Sequence, residues 1–369
     1  MFEINSISKQ SVGKCLSHLN DYLDGPMSSA EQVFVNLGDL KVVKIIACDR
    51  NALPLMKREL GWITTEPVSE PDATIVLWRE GSPESFFSRA FGLNLPPLKE
   101  KDAESVLLIK EENEMTPLAQ IDLRDNTVHV AYGKTYYYGA DCFDPESWLQ
   151  RQGHLFYQIF YHIVSGPCSS LVHGACVGVG GKGVLVCARG GRGKSTLTVS
   201  ALLKGFEYVA DDYLILEKRG GQLCASPIYS TVALSPKMYN TLYDDMEKAR
   251  FVGIGNAKGK FVFDMAKYGS QVRRQCPILA GIFPEIDPNA DEPSIERCSD
   301  MEKRRAITHV SHSTVSQMYK YGLKQGQKDS EAIVKLINML KDVEYYKMIL
   351  CQDVFRNEEF LRSFVASLS

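Results

Sequence analysis

One segment of this chain, GVLVCARGGRGKSTLTVSALLKGFEYVADD at residues 183–212, constrains the fold more than any other. Gly183 to Cys187 is a short apolar run with β-branched residues, which is typical of a buried strand. Ala188 to Ser195 follows as a glycine-rich loop, and Thr196 to Lys204 has the composition of a helix. Gly205 supplies a left-handed stop after that helix. The segment therefore predicts a strand, a loop and a helix in direct succession.

The loop has the chemistry of a phosphate site. Its glycines let backbone N–H groups turn inward around an anion, at a helix N-terminus whose dipole favours negative charge. Lys194 would reach the β- and γ-phosphates of ATP, and the Ser195 hydroxyl would bind Mg²⁺. Ala188 departs from the pattern G-x-x-x-x-G-K-[ST] at its first position, and a glycine-rich turn without ligand is the alternative. Within the loop 188–196, the residues predicted to hold the nucleotide are Gly190, Gly191, Arg192, Gly193, Lys194, Ser195 and Thr196.

Two adjacent acids follow the next apolar strand. Tyr208 to Ala210 leads into Asp211 and Asp212, and Tyr213 to Leu216 resumes as a second strand. Because successive strand residues point to opposite faces, we expect the two carboxylates to have different tasks. One could hold Mg²⁺, and the other could accept a proton from an incoming hydroxyl. A solvated turn is the alternative for two acids at the end of a strand.

These residues together resemble a known family. Val172-His173-Gly174-Ala175-Cys176, Gly183-Val184-Leu185-Val186, the loop and Val209-Ala210-Asp211-Asp212 resemble the core of HPr kinase/phosphorylase. That fold is similar to the nucleotide core of phosphoenolpyruvate carboxykinase. The resemblance is specific over residues 171–217. It implies an α/β fold whose HPr kinase/carboxykinase-like P-loop core is built on a mixed β-sheet.

The resemblance also implies a role for each site residue. It assigns Lys194 to the phosphates and Ser195 to magnesium, as the loop chemistry does. It makes Asp211 the general base for the acceptor hydroxyl and Asp212 the carboxylate on the metal side. His173 matches a family histidine near the reacting phosphate, where it could steady the acid pair or the acceptor.

The sequence departs from the family after Glu217. The stretch KRGGQLCASPIYSTVALSPKMY does not match the glycine-containing signature that supports the phosphorylase reaction. The chain is therefore more similar to HPr kinase-like serine kinases that modify peptides than to true HPr kinase/phosphorylases. The expected function is ATP- and Mg²⁺-dependent phosphorylation of a serine or threonine in a peptide or protein. Two alternatives remain, a kinase for a small hydroxylated metabolite such as free serine or a sugar, and a nucleotide-binding sensor or assembly module without transfer.

A further cation is expected at such a site. Kinases of this general type stabilise charge on the transferring phosphoryl group with a cation from outside the phosphate loop. A solvated surface position is the alternative for each candidate. The candidates lie after the acid pair and are Lys258, Lys260, Arg273 and Arg274.

Composition sets the wider limits. The net charge of -3 over 369 residues offers no global attraction to nucleic acid or to an anionic membrane. The ten cysteines are scattered without C-x-x-C pairs, which favours buried thiols in a reducing compartment. No run of 18 apolar residues occurs, and the first residues lack a secretory pattern. A cytoplasmic protein is expected, with a homo-oligomer as an open possibility.

The chain is predicted to contain two units. Residues 1–140 form a separate N-terminal α/β region, for which substrate recognition, oligomerisation and scaffolding all remain open. Residues 141–369 form the catalytic domain. It should begin with one helix from an Asp144 cap to Gly166.

Further strands are predicted in the second unit. Leu171 to Val179 should form one strand that turns at Gly180-Gly181 into the strand before the loop. Ile278 to Phe283 should form a buried strand that closes the sheet.

Overall fold

The structure is a computed structural model. It describes residues 2–7, 17, 19, 21, 23–79, 106–111, 117–122, 127–132, 134–149, 154–188, 191–242, 254–255, 259–265, 269–319 and 326–368.

The first part of the chain builds a mixed sheet. In the strand Lys41–Ala47, buried and half-buried side chains alternate, because successive side chains leave the strand on opposite faces. The sheet has eight strands in the order β1-β5-β6-β7-β8-β4-β3-β2, with both parallel and antiparallel pairs. They are β1 (Phe2–Ile7), β2 (Glu31–Leu37), β3 (Lys41–Ala47), β4 (Ala73–Arg79), β5 (Val106–Glu111), β6 (Pro117–Asp122), β7 (Thr127–Tyr132) and β8 (Thr135–Ala140).

Short helices contribute to the core next to this sheet, and one prediction about them is wrong. The helix predicted from Asp144 to Gly166 is two helices, because Phe156 has a left-handed φ of 59° and interrupts it. Its predicted cap is confirmed, since the Asp144 carboxylate accepts the backbone N–H of Ser147 at 2.8 Å. The helices are α1 (Ala52–Leu60), a 3-10 turn (Gly61–Ile63), α2 (Pro145–Leu149) and α3 (Tyr157–Val164).

The later part of the chain forms a second mixed sheet, which carries the glycine-rich loop. It has nine strands, seven of them in the order β12-β10-β11-β18-β14-β13-β9, with β20 on β18 and β19 on β20. They are β9 (Ser169–His173), β10 (Ala175–Val179), β11 (Lys182–Val186), β12 (Glu207–Ala210), β13 (Tyr213–Arg219), β14 (Gln222–Pro227), β18 (Cys276–Ile286), β19 (Ser294–Arg297) and β20 (Glu344–Leu350).

Strand β18 lies inside this sheet and does not close it as predicted. It pairs in parallel with β11 and β20 and in antiparallel fashion with β14. The strand is 11 residues long, so it can pair with two strands on the same side. Its first residues pair with β14, and Ala280 to Ile286 pair with β20. The carboxyl ends of three parallel strands therefore point the same way.

The strand predicted from Leu171 to Val179 is two strands that break at Gly174. On one side of the break β9 pairs with β13, and on the other β10 pairs with β11 and β12. The Gly174 N–H donates to the backbone carbonyl of Asp212 at 3.0 Å. The predicted turn is confirmed, because Gly180 and Gly181 have positive φ and join β10 to β11 as an antiparallel hairpin.

The remaining elements cover the second sheet. A three-stranded sheet has the order β15-β17-β16. These strands are β15 (Thr231–Leu234), β16 (Ile254–Gly255) and β17 (Phe261–Asp264), and the helices are α4 (Lys194–Leu203), α5 (Pro236–Thr241), α6 (Asp300–Tyr319), α7 (Gly326–Leu340) and α8 (Val354–Ser367). No helix among the described residues combines the length and apolarity that crossing a bilayer requires.

Strand β11 is buried on both faces. Val184 and Val186 belong to a core cluster with residues of α4 and α8, whereas Leu185 and Cys187 belong to another with residues of α7. This burial accounts for its unbroken apolar sequence.

A third core cluster joins the two parts of the chain. It contains Val43 and Ile75 from the first sheet, and Leu171, Ile215 and Tyr229 from the second part. The predicted division at residue 140 stays a prediction, but the apolar packing runs across it.

Candidate functional site

The glycine-rich loop leaves the end of β11 and enters α4, as predicted. Gly191 and Gly193 have φ of 79° and 96°, conformations that side chains other than glycine rarely adopt. Gly193 precedes the helix and its carbonyl accepts the Leu197 N–H at 2.8 Å. Ser195 and Thr196 are half-buried in the first turn, and Arg192 is exposed. Gly190 lies outside the described residues.

Lys194 lies between the two acids. Its ammonium group is 2.6 Å from Asp211 Oδ1 and 2.8 Å from Asp212 Oδ1, and its side chain is 8% exposed. Burial alone would lower the pKa of Lys194, but the charges and hydrogen bonds of both carboxylates raise it above its ordinary value. The side chain therefore carries a positive charge where the loop meets the acids.

Asp211 follows the last residue of β12 and is fully buried. One carboxylate oxygen accepts from Lys194, while Oδ2 has no hydrogen-bond partner among the described residues. A buried carboxylate oxygen without a partner is costly and is uncommon in folded proteins. The unpartnered oxygen marks Asp211 as a candidate proton acceptor.

The expectation that the two carboxylates lie on opposite faces is wrong. Asp212 has a φ of 67°, so the alternation of an extended strand ends at this residue. The Tyr213 N–H donates to the Asp211 carbonyl at 2.9 Å, which closes a tight turn between β12 and β13. Both carboxylates consequently contact the same ammonium group.

His173 completes the group. It is the last residue of β9 and pairs across the sheet with Tyr213 on β13. Its Nε2 lies 3.8 Å from Asp212 Oδ1. Burial alone would raise the pKa of Asp212, but the charge of Lys194 and the interaction with His173 bring it well below its ordinary value. The structure thus brings His173, Lys194, Asp211 and Asp212 together, while their roles stay predictions.

The four candidate cations do not form one group at the site. Arg273 forms an ion pair with Glu207 at 2.7 Å, at the end of β12 away from Asp211. Arg274 lines a small cavity with Asn36, Asp39 and Trp62. Lys260 immediately precedes β17, and Lys258 lies outside the described residues. The structure therefore does not bring Arg273 or Arg274 to the acid pair.

Two cationic side chains near the loop were not predicted from the sequence. Arg305 and Lys347 line a cavity of about 300 Å³ together with Ala188 and Arg192 of the loop. Arg305 lies on α6, and Lys347 lies on β20. No local sequence signal marks them, because the cavity brings together residues that are far apart in the sequence.

Comparison with known proteins adds one finding. No protein-family model matches the chain, and a search of the curated proteins finds no match. A search of solved structures finds the HPr(Ser) kinase/phosphatase of Coxiella burnetii, at a TM-score of 0.28 and 13% identity. The match covers 53% of this chain and 94% of that chain. This likeness is too weak to show a family or a function, so the family resemblance stays a prediction.

Proposed function

We propose that the protein is an ATP- and magnesium-dependent kinase that transfers the γ-phosphoryl group to a hydroxyl, with a serine or threonine of a peptide or protein as the acceptor. The observation that carries the proposal is the buried Lys194 ammonium, which follows the glycine-rich loop directly and contacts both Asp211 and Asp212. A cation next to a phosphate loop and a carboxylate beside it are the parts that phosphoryl transfer needs.

In this reaction Asp211 would take the proton of the acceptor hydroxyl. The hydroxyl oxygen would form a bond to the γ-phosphorus, the bond from the γ-phosphorus to the bridging oxygen would break, and ADP would leave. Lys194 donates a hydrogen bond to Asp211 in this structure. With ATP bound, the ammonium group would interact with the phosphates instead, so that the Asp211 carboxylate becomes free to act as a base. His173 would keep Asp212 in place through their contact at 3.8 Å.

Ser195 and Asp212 are the residues that would hold Mg²⁺. Among the described residues, no cluster of three His, Cys, Asp or Glu side chains is suited to a metal ion. Magnesium commonly takes only one or two protein carboxylates and completes its shell with waters and substrate phosphates, so one hydroxyl and one carboxylate fit it. When bound, the ion would neutralise charge on the phosphates.

The experiment is incubation with ATP and Mg²⁺ against peptides encoded beside the gene, free serine and sugars, followed by mass measurement of each candidate acceptor. A gain of one phosphate on a peptide alone is expected. A gain only on serine or a sugar would make the protein a small-molecule kinase. Saturable ATP binding without any transfer would make it a sensor or assembly module.

Variants assign the roles. Asp211→Ala should lower the transfer rate by roughly 10²- to 10⁴-fold, which is the usual contribution of a general base. Lys194→Ala should impair nucleotide use broadly, while Arg273→Ala, which removes an exposed partner of Glu207, should not. Transfer at the parental rate by Asp211→Ala would remove that residue from its role. Unchanged ATP affinity and turnover in Lys194→Ala would refute the phosphate-loop interpretation.

A further inference from the structure

A cavity of about 300 Å³ opens beside the glycine-rich loop, and nothing in the proposed reaction yet uses it. Cys187 and Ala188, which follow β11, form part of its wall, and Arg192 contributes from the second half of the loop. A bound triphosphate on this loop would therefore border the cavity directly.

The residues that line the cavity differ from those at the acid pair. Phe283, Pro284 and Glu285 of the cavity lie on β18, and Lys347 lies on β20. Strands β11, β18 and β20 are mutually parallel, and ligands of parallel α/β sheets bind beyond the carboxyl ends of such strands. Lys194 contacts the two acids, whereas Ala188 and Arg192 line the cavity, so a triphosphate on the loop would border both.

The lining of the cavity suits a flat, polar-edged molecule. Phe283, Pro284 and Ala306 offer apolar contact area, and Arg305 supplies a planar guanidinium that can stack on an aromatic base.

Two carboxylates in the lining are held in place and can accept hydrogen bonds from hydroxyl or amino groups. Ser299 donates to Glu302 through its hydroxyl at 2.6 Å and its backbone N–H at 2.9 Å. Glu285 is 3.2 Å from the ammonium of Lys347.

We propose that this cavity holds the base and ribose of the ATP molecule whose phosphates lie on the loop. The inference rests on the proposed function, because it places the rest of the same donor. The volume is at the lower end of the range for small-molecule sites, about 300–1,000 Å³, which fits one nucleoside. The acceptor then approaches from the side of Asp211.

The test compares the affinities of two ligands, ATP with Mg²⁺ and inorganic tripolyphosphate with Mg²⁺, by titration calorimetry. Arg305→Ala should weaken ATP about tenfold and leave tripolyphosphate within about twofold, because only ATP has a base to stack. Arg304→Ala is the matched control, since Arg304 is the neighbouring exposed arginine and does not line the cavity. Ala306→Leu, which fills the cavity, should act like Arg305→Ala, with circular dichroism confirming that both variants fold.

The outcomes separate the two proposals. If Arg305→Ala and Ala306→Leu fold and keep the parental ratio of ATP to tripolyphosphate affinity, the cavity does not hold the nucleoside, although the loop still binds phosphate. Loss of serine or sugar binding in these variants, with ATP unaffected, would assign the cavity to the acceptor and overturn the inference. If the parental protein binds neither polyphosphate ligand, the proposed function itself fails.

Discussion

The backbone of a single residue, Asp212, sets the arrangement of the acid pair. Its φ of 67° turns its carboxylate toward Lys194, beside that of Asp211. Aspartate and asparagine tolerate this left-handed conformation better than most residues. Asp212→Asn should therefore keep the turn and remove only a negative charge.

We expect Asp212→Asn to bind Mg²⁺-free tripolyphosphate about tenfold more tightly than the parental protein, because one carboxylate no longer repels the ligand. Phosphoryl transfer should fall at the same time, because the carboxylate proposed to hold Mg²⁺ is lost. Titration calorimetry without divalent ions gives the affinity. Asp342→Asn, in which an exposed carboxylate paired with Lys218 is removed, is the control. Equal affinities in the parental and Asp212→Asn proteins would contradict this electrostatic account.

A second buried carboxylate, Glu59, makes stability depend on pH. Burial alone would raise its pKa, but His154 and Arg58 lower it below the ordinary value, about 4.3. Because the pKa of Glu59 is lower in the folded state, the stabilisation is complete above the unfolded-state pKa, about 4.3, and is lost as pH falls through the folded-state pKa. Glu59→Gln should lower the free energy of unfolding by about 1–3 kcal/mol at pH 7.

The stability difference between the parental and Glu59→Gln proteins should shrink as the pH falls below about 4. Urea unfolding at a series of pH values measures it. A difference that stays constant down to the acid unfolding region would show that the ionised carboxylate is not the source.

At the scale of elements, local patterns were predictable and long-range pairing was not. Strand β11, the loop and α4 follow from adjacent residues, because apolar runs and glycines act within a few positions. The break at Gly174 depends on a hydrogen bond to Asp212, 38 positions along the chain. The interior position of β18 depends on partners in β11, β14 and β20, and the cavity depends on the same pairing.

The glycine-rich loop lies close to β20 at Gly193. Gly193 has a φ of 96°, and a Cβ there would lie 2.9 Å from Leu350 Cδ1 on β20. Gly180 has a φ of 58° and open space around it, so the two positions share backbone strain but not crowding. Because the φ of 96° lies farther from the left-handed region at about 57° and the Leu350 side chain must also shift, we expect Gly193→Ala to lower the free energy of unfolding by about 1 kcal/mol more than Gly180→Ala.

Urea unfolding of both variants measures this difference. Gly193→Ala should also lose affinity for tripolyphosphate, whereas Gly180→Ala should retain it, because only the former changes the loop. Equal destabilisation by the two substitutions would mean that the contact with β20 does not constrain the loop.

At the scale of the whole molecule, the first region and the site share structure. The Ser230 N–H donates to the Glu59 carbonyl at 2.8 Å, and the Trp62 N–H donates to the Ser230 hydroxyl oxygen at 2.9 Å. The Glu59 carboxylate lies 3.8 Å from His154, which meets the edge of Tyr213, the residue that follows Asp212. Composition and motifs of residues 1–140 gave no sign of these contacts, because each joins residues far apart in sequence.

A chain that starts at residue 141 should therefore be less stable than the full chain. It would expose apolar residues of the shared core, including Leu171, Ile215 and Ile228. We expect a lower unfolding temperature and aggregation, measured by circular dichroism and light scattering with the full chain as reference. A soluble fragment with the unfolding temperature of the full chain would show that the second unit is independent, as the predicted division at residue 140 implies.

Titration calorimetry with ATP and Mg²⁺ measures whether the loop and the acid pair form a nucleotide site. We expect saturable binding of one ATP per chain, lost in Lys194→Ala and retained in Arg273→Ala. Absence of binding by the parental protein, or equal binding by the parental protein and Lys194→Ala, would contradict it.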